Sequence, residues 1–168
     1  MMSFVDKVAG SNGLRELAVL ECGSLNVNGS VRDLFSGEYV GVDLREGPGV
    51  DRVADCERLP WEEGIWPVVV SCEMLEHTLR PHVIVAEMAR VLSPGGWLIC
   101  TARGFDEWGC FRYHGHPDDH HRWSRQGFVT LFADAGLEVV SCHADPVGPG
   151  WLLVARKPLR DVYRMVAS

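Results

Sequence analysis

A chain of 168 residues, 46% hydrophobic and 23% charged, has the composition of one globular domain with a core large enough to need no staples. Its formal charge of −7 argues against broad contact with a phosphate backbone, although Arg103, Arg112, Arg122 and Arg125 could form a local basic patch. No apolar run reaches membrane-spanning length, and MMSFVDKVAGSNGL lacks the basic start and apolar stretch of a secretory signal, so a soluble cytoplasmic protein is expected.

Short apolar runs alternate with helical patterns along the chain, with no repeat or linker between them. Residues 17–22 (LAVLEC) predict a buried strand that Gly23 ends. Helical spacing follows at Val31, Leu34 and Phe35, with Asn28 or Ser30 as its cap. Residues 39–44 (YVGVDL) predict a second strand ending in an acid, and residues 50–55 (VDRVAD) a weaker third. Only about half a dozen residues separate these two, too few for a crossover helix, so 51–54 could be an irregular edge. The fourth strand, 67–71 (PVVVS), is apolar throughout, as a central parallel strand should be. A helix follows over 81–92, with Pro81 in its first turn and SPGG at 93–96 stopping it. The fifth strand is 97–102 (WLICTA). Ser124 caps a helix with Phe128, Leu131, Phe132 and Ala135 on its apolar face and Gly136 at its end. Residues 137–142 and 151–155 are two further strands, and the PVGPG turn between them permits an antiparallel hairpin.

This alternation predicts an α/β fold, a mainly parallel doubly wound sheet whose ligand loops gather at the carboxyl ends of its strands. Six cysteines (Cys22, Cys56, Cys72, Cys100, Cys110 and Cys142) are scattered, without a CxxC pair. Four fall in or just after apolar runs, which favours reduced, buried thiols over disulfides or a zinc site.

Chemistry gathers at the strand ends. ECGSLNVNGS, residues 21–30, puts a glycine just after the first strand, where backbone could approach a ligand, though the same glycine could serve only a tight turn. It fails the GxGxxG dinucleotide fingerprint, which argues against a nicotinamide oxidoreductase. Asp43, ending the second strand, could accept both ribose hydroxyls of an adenosine-containing ligand, or be a surface acid. Asp55 in ADCERLP could accept from an adenine amino group, or be a turn acid.

SCEMLEHT after the fourth strand, with RVLSPGGWLICTA beyond the next helix, completes a familiar order. VVVSCEMLEHT and EMARVLSPGGWL resemble the signatures of the class I S-adenosylmethionine-dependent methyltransferases. The likeness runs over residues 17–157 and is nearest to their small-molecule group, which includes the ubiquinone-biosynthesis O-methyltransferases. It implies a seven-stranded sheet with the last strand antiparallel and S-adenosylmethionine as cofactor. It also implies Glu21 and Gly23 at the methionine end, Asp43 at the ribose, Asp55 and Cys56 at the adenine, a backbone contact from Cys72, and Leu44 among the cofactor-binding residues. The chain departs from the family where further glycines are usual. Ser24, Leu25 and Asn26 stand there, and Asn26 could give an amide to the methionine carboxylate.

Methyl transfer from a sulfonium is an in-line displacement, so alignment is the main task and a base serves an acceptor that must lose a proton. His77 is the candidate base, or else a capping histidine that orders its loop. Glu73, Glu76 and His77 together resemble the divalent-metal site of the ubiquinone O-methyltransferases, yet the same letters occur in relatives that use none, and no metal is expected. The stretch 103–123 (RGFDEWGCFRYHGHPDDHHRW) follows the fifth strand and can fold as a lid within one 1–168 domain. Its HPDDHHRWS resembles a segment of bacterial methyltransferases of polysaccharide and natural-product clusters. His114, His116, Asp119 and His120 could bind a metal, but they lack structural-zinc spacing. The plainer expectation is that Trp108, Phe111, Tyr113 and Trp123 pack on the domain, with Trp108 and Tyr113 alternatively stacking on a flat or sugar-like acceptor.

Nucleic-acid base methylation is disfavoured, because SCEM stands where an Asn/Asp-Pro-Pro-aromatic motif would be expected and no Pro-Cys nucleophile exists. What remains is O- or N-methylation of a small-molecule or sugar-like acceptor, with a catalytically idle cofactor-binding module in a complex as the alternative. The tail LRDVYRMVAS and the third-strand edge could each seat a second copy in a homodimer.

Overall fold

The computed structural model describes residues 1–105 and 118–159. Seven strands form one sheet in the order β3-β2-β1-β4-β5-β7-β6. They are β1 (Val19–Cys22), β2 (Tyr39–Asp43), β3 (Arg52–Val53), β4 (Trp66–Cys72), β5 (Leu92–Arg103), β6 (Glu138–Ala144) and β7 (Gly150–Arg156). β1 is parallel to β2 and β4, and β4 to β5, while β7 is antiparallel to both β5 and β6. The chain order thus reverses between β1 and β4, the switch point at which parallel sheets open a ligand crevice.

Both faces are covered. On one, α2 (Pro81–Val91) and α3 (Arg125–Asp134) bury Ile84, Val85, Met88, Phe128 and Phe132 against Leu20, Val69, Leu98 and Leu153. On the other, α1 (Met2–Ser11) sets Val5, Val8 and Ala9 against Val19, Val68, Val70, Ile99 and Val154. Strands buried on both faces explain why VVVS and WLLVA read as unbroken apolar runs. Ser124 caps α3, its Oγ accepting from Gly127 N at 3.1 Å.

The structure departs from expectation in four elements. α1 was not anticipated, because its first residues show no capping signal and Gly10 and Gly13 break its end. The helix expected at Val31–Phe35 is a single 3₁₀ turn, Arg32–Leu34, started by Ser30 Oγ accepting from Arg32 N. The third strand shrinks to two residues, tied to β2 by Asp51 N to Gly41 O at 2.9 Å and Gly41 N to Asp51 Oδ2 at 2.7 Å. SPGG does not precede the fifth strand but lies within it. Pairing with β4 shifts between Trp66–Leu92 and Val68–Trp97, and Gly95 at φ 78 binds the Lys157 carbonyl. Among the described residues, no helix is long and apolar enough to cross a membrane.

Candidate functional site

A cleft of about 850 Å³ opens over the carboxyl ends of β1, β2 and β4, within the size range of small-ligand sites. Glu21, Gly23, Asp43 and Leu44 line it, as do Asp55, Cys56, Cys72 and His77. Asn26 is not in its lining. That side chain instead closes a local turn, Oδ1 accepting from Gly29 N at 2.9 Å, and lines a separate surface pocket with Arg32 and Asp51.

The turn after β1 shows how a loop poor in glycine can still lie close to β2. Gly23 N and Ser24 N both donate to Val42 O, at 2.9 and 3.0 Å, and Asn26 N donates to Pro48 O at 2.8 Å. The space comes from the facing segment. A Cβ on Gly41 would stand 2.6 Å from Ser24 Oγ, one on Gly47 2.3 Å from Leu25 Cδ1, and one on Gly49 2.5 Å from Ser24 O. Gly49 also has φ 88, a conformation that side chains disfavour. The glycines expected within the loop therefore stand opposite it. Gly23 itself, at φ 79, admits the Met74 side chain where a Cβ would be 2.4 Å from Met74 Cγ.

Asp43 is held from both sides, Oδ2 accepting from Leu25 N at 3.3 Å and Oδ1 from Arg45 N at 3.2 Å. A carboxylate accepts about two hydrogen bonds per oxygen, so a pair of ribose hydroxyls still finds acceptors there. Asp55 accepts from Glu57 N at 2.9 Å, which fixes its loop. Glu21 is buried, and burial pushes its carboxyl above the ordinary value, against the opposing pull of the Tyr39 hydroxyl and Arg32. Ser24 Oγ is buried in the same wall without a hydrogen-bond partner among the described residues. The oriented acceptors of Asp43, the buried Glu21 carboxyl and the Ser24 hydroxyl fit the polar groups of S-adenosylmethionine.

The turn after β4 is different in kind. Glu73 has φ 53, strained for a residue with a side chain, and its N–H donates to Thr101 O at 3.0 Å. Its Oε2 lies 2.7 Å from Arg103 Nε, a charge contact outside good hydrogen-bond alignment. Glu76, in the 3₁₀ turn Leu75–His77, is fully buried, and neither carboxyl oxygen has an aligned hydrogen-bond partner among the described residues. Burial first, then the Glu73 charge, push it up to about 8, against nearby backbone amides and Arg103. Its backbone carbonyl accepts from His120 N at 2.8 Å and His121 N at 3.2 Å, which fastens the segment after residue 117 onto this turn. His77 Nδ1 lies 3.0 Å from the Asp118 carbonyl oxygen. A carbonyl can only accept, so in the neutral ring Nδ1 carries the proton and Nε2 is the basic nitrogen.

Among the described residues no three His, Cys, Asp or Glu side chains are grouped to hold a metal ion, and Glu73, Glu76 and His77 do not converge. The donor set does not fit a shared divalent cation. The cysteines described are free, and burial raises the thiols of Cys72, Cys100 and Cys142. Of the lid, Trp123 packs on the core, stacks on His121 at 5.5 Å and accepts Trp151 Nε1 at its carbonyl at 2.8 Å. Trp108, Cys110, Phe111, Arg112, Tyr113, His114 and His116 lie outside the described residues.

Several cleft residues escaped sequence reasoning: Met1, Asp145 and Val147. Val147 sits in the PVGPG turn and Asp145 immediately before it, a stretch read only as a hairpin. β6 runs parallel to β1 and β4, so that turn falls on the cleft side, a placement a full strand order would have revealed. Met1 carried no signal.

Residues 20–100 match the family described as "Methyltransferase domain". Over that stretch, a little under half of its length, the chain is similar to methyltransferase domains. It is 26% identical over 142 residues to a ubiquinone biosynthesis O-methyltransferase of Maricaulis maris, covering 70% of this chain and 54% of that one. The chain therefore spans about half the length of that relative. The fold is that of 1,6-didemethyltoxoflavin-N1-methyltransferase of Burkholderia thailandensis, solved with 1,6-didemethyltoxoflavin and S-adenosylhomocysteine. The TM-score is 0.75 at 19% identity, over 94% of this chain and 78% of that one. The [4+2]-cyclase SpnF is similar too, with TM-score 0.72 at 16% identity over 92% and 82%, so one fold serves more than one reaction.

Proposed function

We propose that the protein binds S-adenosylmethionine and transfers its methyl group to an oxygen or nitrogen of a small-molecule or sugar-like acceptor. The observation that carries the reading is Asp43, at the tip of β2 in the switch-point cleft, with both carboxylate oxygens oriented by backbone amides. Asp55 and Cys56 then bound the adenine, Leu44 covers it, and Glu21, Gly23 and Cys72 bound the methionine end. The chain acts as a single cofactor-binding domain.

When bound, the cofactor supplies an electrophilic methyl on a sulfonium. Glu21, Gly23 and Cys72 would hold the methionine end, and the cleft wall would keep the acceptor's lone pair in line with that methyl. The proton shed by the acceptor passes to His77 Nε2, while the Asp118 carbonyl holds Nδ1–H and so keeps the ring in the useful tautomer. Alignment in a walled cleft supplies the larger share of the rate.

The test is calorimetric titration with S-adenosylmethionine and S-adenosylhomocysteine, followed by a methyl-release assay over a panel of phenols, amines and sugars. Saturable binding with turnover on at least one acceptor is expected. Binding without turnover on any would favour an idle cofactor-binding module, and no binding would reject both.

A further inference from the structure

The letters Glu73, Glu76 and His77 invite a divalent cation at the acceptor end, yet the geometry assigns each of them elsewhere. Glu73 faces a guanidinium, with Arg103 Nε at 2.7 Å. Glu76 is sealed in the interior and does not line the cleft. His77 directs Nδ1 to a backbone carbonyl. A hard divalent ion needs several oxygen ligands converging at once, and here they diverge.

Arg103 is placed to do what such an ion would do. It is the last residue of β5, its side chain lines the cleft beside Glu73 and His77, and it is about one-third exposed. A Cβ on Gly148 would stand 3.3 Å from its Nη1, so the guanidinium spans from the β4 turn to the β6–β7 turn. Among the described residues, the charged and titratable groups around it are Glu73, Glu76 and His77 from the β4 turn, Asp118, and Asp145 on the β6–β7 turn. Arg keeps its charge at every working pH and offers five N–H donors in a rigid fork.

We infer that Arg103 is the resident cation of the acceptor subsite, held by Glu73 at the β4 turn. Resting on the methyl-transfer reading, this makes an acceptor hydroxyl or phenol the favoured nucleophile. Its oxygen gains negative charge as the proton leaves, and the guanidinium stabilises that charge. A protonated amine would instead meet a like charge.

The probe is Mn²⁺ alone, followed by electron paramagnetic resonance on protein saturated with S-adenosylhomocysteine. Wild type is expected to leave the free Mn²⁺ signal unchanged into the millimolar range. Arg103→Met, which keeps an apolar stem and frees Glu73, is expected to bind Mn²⁺ at least about tenfold more tightly than wild type, since one carboxylate loses its counter-charge. Adding Glu73→Gln should abolish that gain, and Arg103→Lys should behave as wild type. Micromolar Mn²⁺ binding by wild type that Glu73→Gln removes would overturn the inference. So would Arg103→Met with no gain while its S-adenosylhomocysteine affinity is intact. If Arg103→Met does not fold, Arg103→Gln takes its place with the same expected gain. A wild type that fails to bind S-adenosylhomocysteine strikes the methyltransferase reading, whatever Mn²⁺ does.

Discussion

The two turns that frame the cleft are built on opposite principles. After β1 the chain is clasped by backbone amides and by glycines on the segment facing it, and it contributes no formal charge between Gly23 and Ser30. After β4 a strained Glu73, a sealed Glu76 and a tautomer-fixed His77 lie within five residues. The first arrangement suits a ligand held by shape and backbone donors. The second concentrates charge where a proton must move. The proposed function thus places binding and chemistry on separate strand ends, and substitutions should separate them.

The largest effect is expected on the charged side. His77→Gln should lower turnover on a hydroxyl acceptor by about a hundredfold or more, the usual scale of lost general-base assistance. S-adenosylhomocysteine affinity by calorimetry should be unchanged. Equal loss of affinity would mean that His77 shapes the cleft instead.

The glycine-backed side should fail through stability. In Gly49→Ala the new Cβ meets Ser24 O at 2.5 Å with φ at 88, and the backbone cannot easily yield. A loss of about 2–4 kcal/mol in urea unfolding is expected. A stability unchanged from wild type would refute the close clasp between the two loops.

Glu76 sharpens the comparison through pH. An unfolded carboxyl releases its proton near 4.5, whereas in the fold Glu76 holds it up to about 8. Between those values the folded chain carries a proton the unfolded chain has lost, so this group makes stability fall as pH rises across that window. Glu76→Gln should therefore flatten the decline and be more stable than wild type at pH 8, with the difference shrinking toward pH 5. Parallel pH profiles in urea unfolding would contradict the sealed, protonated carboxyl.

The smallest effect belongs to Asn26. Asn26→Ala removes one exposed hydrogen bond, from Gly29 N, at a cost of about 0.5 kcal/mol. Cofactor affinity should stay within about twofold. A larger loss would return Asn26 to the methionine end.

What could be read in advance follows the same division. Buried parallel strands announce themselves through runs such as PVVVS and WLICTA, because both faces need apolar residues. Acids at strand ends, Asp43 and Asp55, were legible from order alone. The glycines facing the first loop were not, since Gly41, Gly47 and Gly49 meet Ser24 and Leu25 only once β2 lies beside β1. Likewise Glu76 read as part of a metal-like cluster and Arg103 as part of a basic patch until burial and the β4–β5 pairing placed them. The hairpin turn at Asp145 joined the cleft only through the direction of β6.

The central claim is that this cleft holds S-adenosylmethionine through Asp43, and one calorimetric comparison addresses it. S-adenosylhomocysteine titrated into wild type should bind at a single site, and folded Asp43→Ala should bind about ten- to a hundredfold more weakly as two ribose hydrogen bonds are lost. Identical affinities, or no heat from either protein, would contradict the account.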